Sequence, residues 1–303
     1  MGYNQISDPV IRRTQPYEQF STAIMILSFH PLYAADLNLL CAGRDPGPSE
    51  LTAIRQAKAV ILPQGCRESL YRMAKDNCGH VFPDYDARFS YPEKIGQAKL
   101  FQEKQVPHPP TLVYENETLT ENTYETLLNN PPFDLPFVFK FNWGGEGDTV
   151  FCLHTRDAFE KTLQKALLYE KSGQYGFLLQ ALIPAKGRSL RVVVIHQICI
   201  AYWRVNEAMD GFYTNLTKGA KIDRTSDPVL QEAAMAATRK FCDQTKINLA
   251  GFDFIFSETD LAAGKIEPLF LEINYFFGRK GLGGSEKYYK QLQNEIDHWI
   301  KQI

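Results

Sequence analysis

Glu272 and Asn274 lie two residues apart in the apolar stretch Phe270-Leu271-Glu272-Ile273-Asn274. In an extended strand such neighbours project to one face, so both oxygen-bearing side chains share the same space. A little upstream, Gly251-Phe252-Asp253-Phe254-Ile255-Phe256 is a second strand-like run with one acid in its middle. A carboxylate among apolar residues is costly unless something pairs with it, and a hard cation such as Mg2+ is a suitable partner. Three oxygen donors from two strands suit an ion that keeps some waters and takes its remaining ligands from phosphates. The expected occupant is therefore a phosphate-bearing molecule, a nucleotide first among them.

A second group of residues carries the opposite charge. In Pro136-Phe137-Val138-Phe139-Lys140-Phe141-Asn142-Trp143-Gly144-Gly145-Glu146-Gly147, alternation puts three phenylalanines on one face and Val138 and Lys140 on the other. A lysine near the end of an apolar strand, just before a glycine-rich loop, is well placed for phosphates. Glycines let backbone N–H groups approach an anion, and the ammonium adds a point charge. The bland alternative is a hairpin turn with a snorkelling edge lysine. Arg191 opens Arg191-Val192-Val193-Val194-Ile195, and Arg204 sits late in Ala201-Tyr202-Trp203-Arg204-Val205. Arginines in sheet strands call for an anionic partner, either a phosphate or carboxylate substrate or an ordinary salt bridge to Glu207 or Asp223. Asn215, within Thr214-Asn215-Leu216-Thr217-Lys218-Gly219, reads alone as a turn residue. The six histidines show no metal-ligand spacing, and GxxxxGK[ST], GxGxxG and GxSxG are all missing from the sequence.

These residues need strands to aim them. Apolar runs at 23–29, 59–62 and 81–83, with helix-like stretches at 50–57 and 68–76, predict a small parallel α/β unit over about residues 18–92. A helix over 93–104 follows and is ended by Val106-Pro107-His108-Pro109-Pro110. Strands are then expected at 136–141, 177–182, 190–195, 198–205, 252–256 and 269–274, with helices at 158–170, 227–245 and 286–301. Short connections such as the one after Ile195 indicate antiparallel pairing, so the second part is α+β. The domain reading is 1–92 followed by 93–303.

Composition narrows the function classes. The 303 residues are 44% hydrophobic with a formal net charge of −2, which suits a globular chain and gives no case for nucleic-acid or anionic-membrane partners. No apolar run approaches the ~20 residues of a membrane helix. The first twenty residues do not read as a secretory leader. Six cysteines form no CxxC pair, and as buried reduced thiols they point to the cytoplasm.

The order of these motifs over about residues 90–285 resembles the ATP-grasp superfamily, in particular its RimK-like branch of carboxylate–amine ligases. The stretch before it resembles the small domain that precedes an ATP-grasp fold. The resemblance splits 93–303 into a nucleotide-clamping part (93–178) and a metal-binding part (179–303). It makes Lys94, ahead of Val106-Pro107-His108-Pro109, a phosphate ligand, with Lys99 as the alternative. Lys140 matches the second nucleotide lysine, and Gly144, Gly145 and Gly147 match the loop that closes over the phosphates. Leu179-Gln180-Ala181-Leu182-Ile183 matches the strand that meets adenine, but the acid expected for the ribose is replaced by Ala185-Lys186. Gly187-Arg188-Ser189-Leu190-Arg191 resembles "G-x-D-I-R" with Ser189 in the aspartate position. Arg204 matches an arginine near the reacting phosphate. The segment from Thr214 to Ala220 resembles "T-N-x-x-x-G-G" with one glycine lost, and it makes Asn215 a site residue. Asp253, Glu272 and Asn274 match the metal ligands.

The resemblance implies an ATP-dependent ligase that joins a carboxylate to an amine through an acyl phosphate, using one or two Mg2+ ions with Mn2+ as a substitute. Arg204 and Arg191 would be its catalytic residues. It implies small-molecule or peptide substrates and allows a homodimer. Two other readings stay open: a kinase that phosphorylates a hydroxyl at the same site, and a non-catalytic ATP-binding module. The aromatic Tyr275-Phe276-Phe277-Gly278 after Asn274 leaves room for the last, or shapes a hydrophobic substrate pocket. Specificity is expected from the N-terminal unit, from residues 206–213, and from Gly278-Arg279-Lys280-Gly281.

Overall fold

The computed structural model describes residues 25–115, 120–145, 147–206, 214 and 219–303. The described residues begin with a four-stranded parallel sheet of β1 (Ile26–Ser28), β2 (Leu37–Asn38), β3 (Ala59–Ile61) and β4 (Val81–Phe82), in the order β2-β1-β3-β4. Helices α1 (Pro48–Gln56) and α2 (Glu68–Asn77) make the crossovers, and short α3 (Asp86–Ser90) follows. α1 starts where Pro48 supplies a fixed φ and the Glu50 carboxylate accepts the Gly47 N–H at 2.7 Å.

Helix α4 (Glu93–Glu103) leads into a four-stranded antiparallel sheet, ordered β5-β8-β6-β7. Its strands are β5 (Thr111–Tyr114), β6 (Phe137–Phe141), β7 (Val150–Leu153) and β8 (Phe177–Ala181), with α5 (Glu121–Asn129) and α6 (Arg156–Lys171) on one face. Phe137, Phe139 and Phe141 pack there against Phe159 and Phe177, as strand alternation requires.

A second antiparallel sheet, ordered β11-β10-β9-β12-β13, completes the chain. It comprises β9 (Arg188–Ile195), β10 (Ile198–Val205), β11 (Lys221–Asp223), β12 (Leu249–Ile255) and β13 (Leu269–Asn274), with α7 (Pro228–Thr245), α8 (Glu258–Ala262) and α9 (Ser285–Ile300). On one face Leu190, Val192, Val194, Phe252 and Phe254 join the largest core cluster. That cluster also contains Leu27, Val60, Leu70 and Tyr71 of the parallel unit, so the core runs unbroken across residue 92.

The parallel unit followed by antiparallel sheets agrees with the sequence reading. The elements it passed over are β2, β5, β7, β11, α3, α5 and α8; except for α5 they carry too few residues for a period to register. The shift in register between β12 and β13 at Asp253/Phe254 is a bulge. It lets consecutive residues Leu271 and Glu272 both line the cleft described next.

Helix α4 also touches the edge of β13. Gln97 Nε2 donates to the Ile273 carbonyl at 2.8 Å, and its Oε1 accepts the Ile273 N–H at 2.8 Å. This side-chain amide, with the Pro107 carbonyl that accepts the Phe270 N–H at 2.8 Å, engages the open edge of the strand.

Candidate active site

A cleft of about 680 Å³ opens between the two antiparallel sheets. Strand alternation decides what faces it. On the first sheet, Lys140 lies opposite Leu178, and Gln180 lies opposite both Val138 and Thr111. All of these line the cleft, while the phenylalanines take the other face. The rows of Lys140 and Gln180 are two residues apart, about 7 Å along the strand. The ammonium of Lys140 makes no hydrogen bond to any described residue. Its burial outweighs the attraction of Glu272 and brings its pKa down to about 8.

Lys94 stands in the first turn of α4, and its Nζ donates to the carbonyls of Trp143 and Gly144, each at 2.8 Å. It therefore grips the glycine-rich loop, and burial lowers its pKa. Gly144 has φ +80°, and a Cβ there would sit 2.6 Å from Thr149 Cγ2, so only glycine fits. Gly145 and Gly147 line the cleft directly. Lys99, the alternative to Lys94, instead pairs with Glu115 at 2.6 Å with its side chain 46% exposed.

The second sheet presents a row of charge. Glu272 lies opposite Asp253, Asp253 opposite Arg191, and Arg191 opposite Tyr202. Arg191 clasps Asp253 at two points, Nε to Oδ1 and Nη2 to Oδ2, the latter at 2.8 Å. Arg204 adds a contact from Nη2 to Oδ1 at 2.9 Å, and Asn274 Nδ2 donates to Oδ2 at 3.2 Å. The two guanidiniums outweigh burial and hold the Asp253 carboxyl below the usual carboxylate value. Arg191 is raised, its attraction to Asp253 exceeding its burial, while burial lowers Arg204. Gly251 allows this packing, since a Cβ there would come within 3.0 Å of Arg191 Cδ.

The shared partner of both arginines is thus Asp253. Asp223 is engaged by Thr225 and Ser226, and Glu207 lies outside the described residues, as does Asn215. Ser189 Oγ receives Arg204 Nε at 3.2 Å and Nη2 at 2.9 Å, and meets Thr214 Oγ1 at 2.7 Å. Glu272 makes no hydrogen bond or ion pair to any described residue.

The donor chemistry fits a hard cation in part. Glu272 offers a free carboxylate with Asn274 beside it, whereas Asp253 can bind an ion only by releasing a guanidinium N–H. Among the described residues no cluster of three His, Cys, Asp or Glu groups is arranged for a metal. Lys94, Lys140, Lys186, Arg188 and Arg204 line the cleft, with Arg191 behind Asp253, against the carboxylates of Asp253, Glu258 and Glu272. That excess opposes a bare metal ion and attracts a metal carried by a polyanion.

From Ala181, the last residue of β8, the chain continues along the cleft through Leu182 and Ile183. There the structure supplies residues that the sequence reading missed. Glu258 lines the cleft, its Oε1 accepts the Lys186 N–H at 2.7 Å, and its own N–H donates to the Pro184 carbonyl at 3.0 Å. Its only local signal is a position after the N-cap Ser257. His108, in the Pro-rich segment that ends α4, and Thr111, at the start of β5, also line the cleft, and neither is a site residue in the sequence reading. Arg279, in the loop expected to contribute specificity, lies over the rings of Tyr288 and Tyr289 at 5.4 and 4.6 Å.

The profile of the RimK-like ATP-grasp domain matches residues 92–300. The chain belongs to the RimK-like ATP-grasp family. Solved ATP-grasp structures share its fold at low identity. A RimK domain protein from Sphaerobacter thermophilus is 15% identical with a TM-score of 0.56, covering 79% of this chain and 81% of its own. D-alanine–D-alanine ligase from Bacillus anthracis, complexed with ATP, is 12% identical with a TM-score of 0.57 over 86% of this chain and 84% of its own. D-alanyl-alanine synthetase A from Vibrio cholerae is 13% identical with a TM-score of 0.56, covering 80% and 76%. No curated protein sequence matches the chain. Among the described residues of this ATP-grasp chain, no helix is long and apolar enough to cross a membrane.

Proposed function

We propose that the cleft binds ATP with Mg2+ and uses it to activate a carboxylate, which an amine then attacks. The observation that carries this reading is the disposition of Lys140 and Glu272. A buried ammonium and a free carboxylate share the cleft without forming a salt bridge to each other. That leaves the first for phosphate oxygens and the second for the ion that accompanies them.

Transfer of the terminal phosphoryl group to a carboxylate oxygen needs alignment and charge neutralisation more than covalent help from the protein. Lys140 takes phosphate oxygens. Lys94 holds the Trp143 and Gly144 carbonyls, so the glycine loop can lie over the phosphates and keep water from the acyl phosphate. Glu272 and Asn274 would hold Mg2+, with Asp253 behind them. The ion supplies charge neutralisation between phosphate groups. The amine then attacks the acyl carbon and phosphate leaves. Arg204, one of whose contacts is to neutral Ser189, steadies the oxyanion, and a donor of this kind contributes roughly 3 kcal/mol.

The test is ADP release from ATP in the presence of pooled carboxylates and amines, with hydroxylamine as a trap. A hydroxamate is the expected product. ADP formation with hydroxyl acceptors and no hydroxamate would replace ligation by kinase chemistry. No Mg2+-dependent thermal stabilisation by ATP would remove the nucleotide reading altogether.

A further inference from the structure

Two strand residues from Lys140, proton positions fix the orientation of one side chain in the cleft. Thr111 Oγ1 lies 2.8 Å from the Pro109 carbonyl oxygen. A carbonyl has no proton to give, so the Thr111 hydroxyl donates there and its single proton is used. The same Oγ1 lies 2.8 Å from the amide of Gln180, directly across the β5–β8 pairing. With its proton spent, Thr111 can only accept, so the Gln180 group facing it must be the NH2. The amide oxygen of Gln180 is thereby turned away from Thr111. It makes no hydrogen bond to any described residue, and Gln180, only 7% exposed, lines the cleft.

Gln180 thus offers the cleft a hydrogen-bond acceptor that cannot flip to a donor without leaving two oxygens face to face at Thr111. A buried acceptor of fixed sense favours a ligand with an N–H at that place and penalises one with a carbonyl. We propose that Thr111, by locking the Gln180 amide, sets the base selectivity of the site. It admits a purine with an exocyclic amine at position 6, as in adenine, over one with a 6-oxo group. This rests on the reading of the cleft as a nucleotide site. Thr111 is a positioning residue that acts through Gln180.

The experiment measures the dissociation constants of ATP and of inosine triphosphate, which carries oxygen where ATP carries the amine. Wild type should prefer ATP at least about tenfold. Thr111→Val frees the amide to turn either way and should shrink the preference to within about threefold, while Thr111→Ser restores it. Gln180→Glu has acceptors on both oxygens, so adding Thr111→Val to it should leave the preference unchanged. Circular dichroism on each variant separates lost folding from lost selectivity. A Thr111→Val protein that keeps the wild-type ratio overturns the role of Thr111 and leaves the nucleotide reading standing. Wild type that binds neither triphosphate overturns both.

Discussion

On the first wall of the cleft the ammonium of Lys140 sits among apolar neighbours, with no counterion among the described residues. On the other wall, Arg191, Arg204 and Asp253 are locked together, while Glu272 pairs with no described residue. Both walls come from the same alternation of antiparallel strands, so geometry does not distinguish them. The difference lies in who pairs with whom. A sheet that neutralises its own charges can hold arginines in register for later use, because truncating one member leaves the others exposed to the cost of burial. A sheet that leaves one charge unpaired is less stable for it, and reserves that charge for a ligand.

Removing Asp253 tests the locked wall most severely. Asp253→Asn leaves two buried guanidiniums facing each other, and urea unfolding should show a loss of about 3–5 kcal/mol. A loss below about 1 kcal/mol would mean the arginines are not held by this carboxylate. Glu272→Ala comes next. It should leave the urea midpoint unchanged while turnover falls roughly a thousandfold, and Mg2+-dependent stabilisation by ATP should vanish. Wild-type turnover in this variant would sink its assignment to the metal.

Lys140→Met sharpens the contrast by moving stability and binding in opposite directions. The lysine titrates near 8 when folded, against 10.5 for an ordinary lysine. Below pH 8 the folded state bears the cost of the buried charge, and this cost fades as the pH rises through 8 towards 10.5. At pH 7 the variant should therefore melt about 5 °C higher than wild type. That gain should shrink at pH 10, and ATP should no longer stabilise it. A lower melting temperature at pH 7 would mean that Lys140 has a partner after all. The smallest effect is expected from Thr149→Val. Thr149 Oγ1 donates to the Trp143 carbonyl at 2.6 Å, beneath the glycine loop. Its loss should weaken ATP binding by about 1 kcal/mol in calorimetry, with little change in the melting temperature.

Much of this contrast was legible in the sequence, for a physical reason. Away from the bulge at Leu271 strands keep their period of two, so Glu272 with Asn274, and Lys140 with Val138, had to share faces. The glycines before and after Glu146 announced a loop. Partnerships were not legible, because a carboxylate in a strand reads the same whether it awaits a metal or holds two arginines. Nothing near Asp253 in sequence shows that Arg191 lies directly across from it. Glu258 and Thr111 were missed for a related reason. Each reaches the cleft from the end of a short element whose own pattern describes a helix start or a Pro-rich stop, and only the tertiary fold turns them inward.

The Gln97 amide, hydrogen-bonded both ways to Ile273, has a mechanical consequence. Helix α4 holds the glycine loop through Lys94 at one end and the edge of β13 through Gln97 one turn later. It behaves as an axle set between two jaws. Widening of the gap beside β13 strains these two hydrogen bonds and the one from the Phe270 N–H to the Pro107 carbonyl, so the point of least travel lies beside Glu272 and Asn274. The glycine loop, at the end of the arm, sweeps the longer arc.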